Sequence, residues 1–238
     1  MNNSISTIKE SFNREIRTFE RYSNDIHKSL LTLEEQRKEL EDYVNGGGSL
    51  DFPSRPVENS TAFTVGMVDT PEIREVMIYA LGNRAKELEE YIEISLTMAL
   101  SHFITIFDSR YMDLISLFYE KNPKFLKDTT LENKLMGFSY KSFRNQLNSI
   151  QQNFKIDFFK LMGGDRVNEL VEIRATRNLI VHNSGIVNDL YLSIVGASAF
   201  VEGLKRPLDI TYFEYSTDLM QRFVAIFCDE LEKKLSKN

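Results

Sequence analysis

Residues 174–185 read Arg-Ala-Thr-Arg-Asn-Leu-Ile-Val-His-Asn-Ser-Gly, and this stretch decides how the chain around it is interpreted. Its apolar centre, and the apolar residues spaced by threes and fours before it, are typical of a helix with one buried face. Its Asn-Ser-Gly end is a typical helix stop, because glycine readily adopts the left-handed conformation that closes a helix. The sequence therefore predicts a helix from Arg166 to about His182, with Asp165 as its N-cap.

Helical spacing of apolar residues also covers most of the chain outside this stretch. Residues 5–44 are predicted to form one long helix, which is either half of a coiled coil or a helix lying across the domain. The second interpretation is favoured because Ser23 and Arg37 interrupt the apolar seam. Further helices are predicted from Pro71 to about Phe107 and at about 109–121, 139–160, 187–195 and 216–235, with a brief extended stretch at 207–214.

A segment rich in glycine and proline separates the first helix from the remainder. Residues 45–61 contain three consecutive glycines and two prolines, but no lysine or Ser/Thr at the spacing of a phosphate-binding loop. We interpret this segment as a connector. The predicted organisation is a long N-terminal helix with its connector at residues 1–60 and a helical domain at residues 61–238, and the predicted fold class is all-α.

The composition is that of a globular protein, with 42% hydrophobic and 27% charged residues. A net charge of −6 argues against extensive coating of nucleic acid, which depends on many phosphate contacts. No apolar run reaches the roughly 18 residues of a membrane span, and the first residues lack a signal-peptide pattern. The single cysteine, Cys228, excludes an internal disulfide, and no Cys/His cluster has zinc spacing. We therefore expect a cytoplasmic protein with no metal, cofactor or membrane contact.

Two residues of the 174–185 stretch suit metal-free chemistry on a phosphoester. A guanidinium such as that of Arg177 can hold a phosphate through two parallel hydrogen bonds. An imidazole such as that of His182 titrates near neutrality and can transfer a proton. The alternative is structural: a histidine in the last turn interacts favourably with the helix dipole, and the arginines can pair with acidic residues on the surface. The residues alone leave both interpretations open.

The segment from Arg177 to His182 lies late on a predicted helix that ends in Asn-Ser-Gly. It consists of an arginine, a polar residue, three further residues and a histidine. This arrangement resembles the motif of HEPN-domain ribonucleases, which occur in toxin–antitoxin, phage-defence and RNA-processing systems. The resemblance covers about residues 70–235 as a helical domain, and its specific part is residues 166–195. The N-terminal residues are not explained by it.

The resemblance implies an up-and-down helical bundle, preceded here by the long N-terminal helix, that forms a homodimer through the helix carrying Arg177 and His182. It implies a metal-independent endoribonuclease, a toxin or anti-phage defence effector, in which a ribose 2′-OH attacks the adjacent phosphorus and leaves a 2′,3′-cyclic phosphate. Arg177 would hold the phosphate and His182 would transfer a proton, while Asn178 would orient the histidine or the ribose. Arg174 and Asn183 would support substrate binding. The implied partners are RNA rather than DNA, and an antitoxin or sensor protein.

Helix geometry gives a separate argument for the dimer. At about 100° per residue, Arg177 and His182 are about 140° apart on an ideal helix. Arg174, Asn178 and His182 instead share a face, at steps of four residues. A single helix therefore does not aim Arg177 and His182 at one phosphate, whereas two helices that meet at a dimer axis can. We expect the site to be complete only in the dimer.

Two other functions are compatible with the sequence. A catalytically inactive HEPN-like module would bind RNA or a nucleotide, or pair with a partner protein. A helical scaffold protein would assemble through its long N-terminal helix, and the pairing of Arg177 with His182 would be incidental. Control by modification is a further hypothesis, because some HEPN relatives are silenced at a tyrosine near the motif, and Tyr191 lies nine residues after His182.

Overall fold

The protein is built from α-helices. A computed structural model describes residues 4–46, 71–127, 129–196 and 200–236. Eight α-helices lie within these residues: α1 (Ile5–Gly46), α2 (Pro71–Lys121), α3 (Leu131–Ser139), α4 (Phe143–Phe154), α5 (Phe158–Met162), α6 (Gly164–Asn183), α7 (Asp189–Val195) and α8 (Ile210–Leu235). Because the described residues form no β-strand, the predicted all-α class is confirmed. None of the described helices combines the length and apolar character that crossing a bilayer requires.

The chain divides into two units, one formed by residues 24–94 and the other by residues 1–23 together with residues 95–238. Both α1 and α2 contribute residues to each unit. In the smaller unit, the described side chains include four exposed large apolar groups, those of Leu31, Tyr79, Tyr91 and Ile94. The predicted connector at 45–61 and the domain boundary at residue 60 fall largely outside the described residues, so both stay predictions.

Aromatic side chains form the core of the larger unit. The fully buried Tyr111 ring lies 5.8–6.0 Å, between ring centroids, from five phenylalanine rings: Phe107, Phe138, Phe143, Phe223 and Phe227. The first turns of α1 join this core, because Phe12 and Phe19 lie 6.1 and 5.1 Å from Phe103. Burial of each such ring stabilises the fold by roughly 1.5–3 kcal/mol. This end of α1 is therefore packed into the unit, as expected for a helix lying across a domain.

Helix α2 continues through Asp108 and Ser109, where the sequence predicted two separate helices. An aspartate often ends a helix because its side chain bonds to nearby backbone groups. Here the Asp108 carboxylate instead forms an ion pair with Arg174 of α6, with 2.7 Å between Oδ1 and Nη2. Because a tertiary partner occupies the side chain, the helix is not interrupted, and the prediction of a break was wrong.

Helix α8 begins at Ile210, so the predicted extended stretch at 207–214 is wrong over most of its length. The Asp209 side chain accepts a hydrogen bond of 2.7 Å from the Tyr212 N–H and caps the helix. The brief alternation of apolar and polar residues is therefore part of a first helical turn. Residues 139–160, predicted as one helix or a broken pair, form the pair α4 and α5. Helix α3 had no predicted counterpart.

Helix α6, which carries the predicted motif, packs against α4, α5, α7 and α8. It begins at Gly164, with Asp165 in its first turn rather than at the N-cap, and it ends at Asn183, close to the predicted end. Three of the four residues predicted for its buried face are buried, namely Val167, Leu170 and Ile173. The fourth, Ile180, is half-buried. One face of the helix is thus anchored in the core, which positions the motif at its far end.

Candidate functional site

The end of α6 is closed by two consecutive left-handed residues. Ser184 and Gly185 have φ of 52° and 78°, and the Gly185 N–H donates a hydrogen bond of 3.2 Å to the Leu179 carbonyl. This is the closing pattern that Asn-Ser-Gly predicts. A residue with a Cβ at position 185 would be strained by its φ, because L-residues rarely adopt that conformation.

The chain immediately after this turn pairs with a segment that lies later in the sequence. Residues 185–187 pair with residues 203–206 in an antiparallel arrangement, although no full strand forms there. The Arg206 N–H donates to the Gly185 carbonyl at 2.9 Å, and two further backbone hydrogen bonds of 2.9 Å join Val187 to the same segment. The backbone after the motif is therefore held both by its hydrogen bond to α6 and by its hydrogen bonds to residues 203–206.

His182 lies in the last turn of α6, and its imidazole is exposed. Within the described part of the chain, no hydrogen bond or ion pair holds that imidazole. The neighbouring Asn183, predicted to support substrate binding, donates its side-chain amide to the Ile186 carbonyl and so stabilises the turn. The structure thus leaves the His182 ring accessible to a substrate or to a second chain.

Arg177 lies about one and a half turns before His182 on α6. Its Nη1 donates a hydrogen bond of 3.2 Å to the Asn178 side-chain carbonyl, and its Nε is buried without a partner among the described residues. Asn178 is exposed and contacts the arginine rather than the histidine. No hydrogen bond or ion pair joins Arg177 to His182 in the described residues, so their predicted convergence across two chains stays a prediction.

Arg174 is held far more firmly than Arg177. Its Nη2 lies 2.7 Å from Asp108 Oδ1, and its Nη1 donates to Gln146 Oε1 at 3.1 Å. Its guanidinium also lies over the Phe143 ring, 4.4 Å from the centroid. The structural interpretation expected the arginines to pair with nearby acidic residues on the surface. Arg174 instead forms its ion pair with Asp108, which joins α6 to α2.

The Asp108 carboxylate faces both arginines. Burial raises the pKa of Asp108, and the ion pair with Arg174 and the positive charge of Arg177 oppose that rise. Two guanidinium groups thus share one carboxylate. The charge of Arg177 is partly balanced at a distance, whereas the charge of Arg174 is balanced by direct contact.

Glu172 is the centre of a buried hydrogen-bond cluster on the same helix. Its carboxylate accepts hydrogen bonds from four side chains, those of Thr176 (2.8 Å), Tyr191 (2.7 Å), Arg206 (3.1 Å) and Tyr212 (2.8 Å). We call these five residues the Glu172 cluster. It joins α6 to α7, to the segment before α8 and to α8 itself, so it ties together the elements that surround the motif.

Arg206 is the cation of the Glu172 cluster and is only 8% exposed. Its guanidinium lies over two aromatic rings, 4.6 Å from the centroid of Phe200 and 4.2 Å from that of Tyr212. Burial alone would lower the pKa of Arg206, but the neighbouring Tyr212 and Glu172 raise it above its ordinary value. Arg206 therefore stays charged and neutralises Glu172 inside the protein.

Tyr191, the predicted site of regulatory modification, belongs to this buried cluster. It is 2% exposed, and burial raises the pKa of its hydroxyl to about 12, with the Glu172 carboxylate adding to the rise. Because the hydroxyl bonds to Glu172 and Thr176, an enzyme that modified it would first have to open the cluster. The modification stays a prediction.

The sequence did not reveal that six further residues contact the helix carrying the motif or its neighbours: Asp108, Phe143, Gln146, Thr176, Arg206 and Tyr212. One of the contacts carried a local signal. Glu172 and Thr176 lie four residues apart among apolar residues of α6, the spacing at which helical side chains meet. Asp108, in contrast, lies in an apolar helix far from Arg174 in the sequence, and the sequence predicts a helix break at that position.

Exposed apolar residues recur along the segment that begins at the end of α6 and continues to residue 204. The apolar surface, as we call it, comprises Val181, Ile186, Leu190, Ile194, Val201 and Leu204, each at least 36% exposed. The same segment contributes Val187 and Tyr191 to a small buried cluster with Ala175 and Leu179. The six exposed aliphatic side chains between residues 181 and 204 offer apolar area to another molecule. His182 lies within this segment of the chain.

The described residues contain neither a cluster of metal ligands nor a reactive thiol. No three His, Cys, Asp or Glu side chains there are placed to hold a metal ion. Cys228 is fully buried in α8, and burial raises the pKa of its thiol to about 12, so it is not a candidate nucleophile.

Comparison of the chain with protein-family models, with curated proteins and with solved structures gives no match. The geometry of α6 and its neighbours therefore carries the functional conclusion. Two side chains of the predicted motif, those of Arg177 and His182, have no charged contact partner among the described residues. The third, Arg174, is fixed by Asp108.

Proposed function

We propose that this chain is a HEPN-type endoribonuclease that cleaves RNA without a metal ion and acts as a toxin or anti-phage defence effector. The ribose 2′-oxygen attacks the adjacent phosphorus and gives up its proton. The bond from phosphorus to the 5′-oxygen breaks, and that oxygen takes up a proton. The products are a 2′,3′-cyclic phosphate and a 5′-hydroxyl. Arg177 holds the phosphate, His182 transfers a proton, and Asn178 orients the arginine that it contacts.

The observation that supports this proposal is the contrast between the motif and the remainder of α6. Glu172 and Arg174 each form an ion pair with a residue on another part of the chain. Arg177, in the same helix, has one neutral partner and a buried Nε without any. A partly buried cation that lacks a contacting counter-ion favours the binding of an anion such as a phosphate. The exposed imidazole of His182 then supplies the proton transfer.

The apolar surface supports a homodimer through this end of α6. Association of two copies would remove its aliphatic side chains from water, which is favourable by about 25 cal/mol per Å². It would also bring two copies of the motif towards one axis. Arg177 of one chain could then approach His182 of the other, as the angle of about 140° between them on one helix requires. We propose that each site is composed of residues from both chains.

Cleavage in the presence of EDTA tests the proposed function. Purified protein is incubated with end-labelled RNA and an excess of EDTA, and the new ends are mapped. We expect undiminished cleavage and 2′,3′-cyclic phosphate ends, because a ribose hydroxyl is the nucleophile and no metal takes part. Cleavage that stops in EDTA would contradict the mechanism, and products with 3′-hydroxyl ends would contradict the attack by the 2′-oxygen.

A catalytically inactive binding module is the second candidate function. It is favoured by the absence of any hydrogen bond between Arg177 and His182 within the described chain. Such a module would retain the anion site at Arg177 and would bind RNA without cutting it. Binding of the same labelled RNA without any new ends would therefore support this alternative over the ribonuclease.

Replacing Leu190 with aspartate is expected to separate the dimer. Leu190 is 69% exposed on α7, so the folded monomer should tolerate the change. In a dimer, the symmetry would bury two unpaired carboxylates, at a cost of several kcal/mol. Analytical ultracentrifugation should show a monomer, and cleavage should fall at least about tenfold. Leu161→Asp is the matched control, since Leu161 is 44% exposed on α5 outside the apolar surface. A monomeric Leu190→Asp protein with the wild-type rate would refute the composite site.

A further inference from the structure

Asp108 gives the two neighbouring arginines of α6 different roles. We propose that the Asp108 carboxylate holds Arg174 away from RNA, so that each chain offers one arginine, Arg177, to one phosphodiester. Asp108 is thus a positioning residue that limits the positive charge available to the substrate. This inference rests on the proposed function, because it concerns how that site binds RNA.

The guanidinium of Arg174 is held along one edge and on one face. One edge of its guanidinium contacts Asp108 at 2.7 Å and Gln146 at 3.1 Å. One face lies over the Phe143 ring. The side chain is only 19% exposed. A phosphate would have to compete with the Asp108 carboxylate, which already balances the charge of this guanidinium at close range. Arg174 is therefore a poor phosphate ligand while Asp108 stays in place.

Arg177 presents the opposite arrangement. Its one hydrogen-bond partner is the neutral amide of Asn178, at 3.2 Å. Its Nε is buried and has no partner among the described residues. A phosphate oxygen forms a stronger bond than a neutral amide and can therefore replace Asn178 at Nη1. The two arginines, three residues apart on one helix, are thus distinguished by the position of a single carboxylate.

The charges give a reason for this arrangement. Two guanidinium groups and one carboxylate leave one net positive charge, which balances the single negative charge of one phosphodiester. Without Asp108, Arg174 could bind a second phosphate of the same strand. RNA would then be held more tightly, but also in registers that do not place the scissile phosphorus near His182. Asp108 therefore favours correct placement over tight binding.

The salt dependence of RNA binding tests this inference. The probe is a fluorescently labelled, random-sequence 2′-O-methyl RNA, which the enzyme cannot cleave because the attacking hydroxyl is blocked. Each phosphate contact contributes about 0.7 to the slope of log affinity against log salt concentration. We expect Asp108→Asn to steepen the slope by about 0.7, because the amide no longer competes with phosphate for Arg174.

Asp113→Asn is the matched control for the change in charge. Asp113 lies on the same helix and pairs with Arg110 at 3.0 Å, so its replacement alters the net charge equally. The slope should not change in this variant. A steeper slope in both variants would show a general charge effect and would overturn the proposed role of Asp108.

Arginine variants keep the inference testable even if Asp108→Asn fails to fold. Arg177→Gln in the wild-type background should lower the slope by about 0.7, whereas Arg174→Gln should leave it unchanged. In the Asp108→Asn background, Arg174→Gln should remove the gain. Equal losses from the two arginine variants in the wild-type background would overturn the inference.

The outcomes separate this inference from the proposed function. Wild-type protein that binds the probe, with an unchanged slope in a folded Asp108→Asn variant, overturns the role of Asp108 alone. Wild-type protein that fails to bind the probe at low salt overturns the proposed function, and the inference falls with it.

Discussion

Arg177→Ala protein is expected to cleave RNA about 10²- to 10³-fold more slowly than wild type, the usual loss when one fixed donor to a developing charge is removed. His182→Ala protein should be slower by about 10²- to 10⁴-fold, because no positioned group remains to transfer the proton. Initial rates of cleavage of a labelled RNA in EDTA provide the measurement. Both variants should fold normally, since neither side chain forms an ion pair in the described structure.

Arg166→Ala is the matched control for Arg177→Ala. Arg166 is exposed in the first turn of α6, so its replacement removes the same charge from the same helix at a distance from the motif. It should retain close to the wild-type rate. Thermal unfolding of all variants would show whether a slow variant is simply unstable. A well-folded His182→Ala protein with the wild-type rate would exclude proton transfer by that residue.

Mixing the two inactive variants tests whether each site draws on both chains. In a mixed dimer, one site would lack both groups, while the other would combine the intact Arg177 of one chain with the intact His182 of its partner. Activity should therefore return after the two proteins are co-refolded or exchanged. If every site is built within one chain, both sites of the mixed dimer lack one group and no activity returns.

Glu172→Ala is expected to have the largest effect on stability, lowering the free energy of unfolding by about 3 kcal/mol or more. The change leaves the buried Arg206 guanidinium without its counter-ion and removes the acceptor of the Tyr191 and Tyr212 hydroxyls. Removing one member of a buried ion pair is costly because the remaining charge stays out of water. Urea unfolding followed by circular dichroism provides the measurement.

Glu169→Ala is the control for that prediction. Glu169 lies three residues earlier on α6 and bonds to the hydroxyl of Tyr215, which is 42% exposed. Loss of such an exposed contact should cost no more than about 1 kcal/mol. Equal destabilisation by the two variants would show that the Glu172 cluster adds nothing beyond a single surface hydrogen bond.

Local patterns predicted the features of this protein that depend on neighbours in the chain. The long N-terminal helix follows from the spacing of its apolar residues, and the end of α6 follows from Asn183-Ser184-Gly185. The candidate motif was likewise evident, since Arg177 and His182 are polar residues beside an apolar run. Each of these features is decided by interactions between residues close together in sequence.

Features decided by distant partners could not be predicted in this way. Asp108 was interpreted as a helix break because its partner, Arg174, lies on another helix. Arg174 itself was assigned to the substrate for the same reason. Arg206 carries no local pattern at all, yet it holds the only buried guanidinium of the Glu172 cluster. A charged residue shows its role only when the fold supplies the opposite charge.

Helix ends usually fray, and a histidine in a last turn would ordinarily sample many orientations. Here the Gly185 carbonyl, three residues beyond His182, accepts a hydrogen bond from the backbone N–H of Arg206, whose side chain is buried and forms an ion pair with Glu172. Unwinding the turn would break this hydrogen bond to a residue that the core holds in place. The backbone that carries the imidazole is thus already ordered. If a second copy binds there, less conformational entropy is lost in fixing the position of the ring.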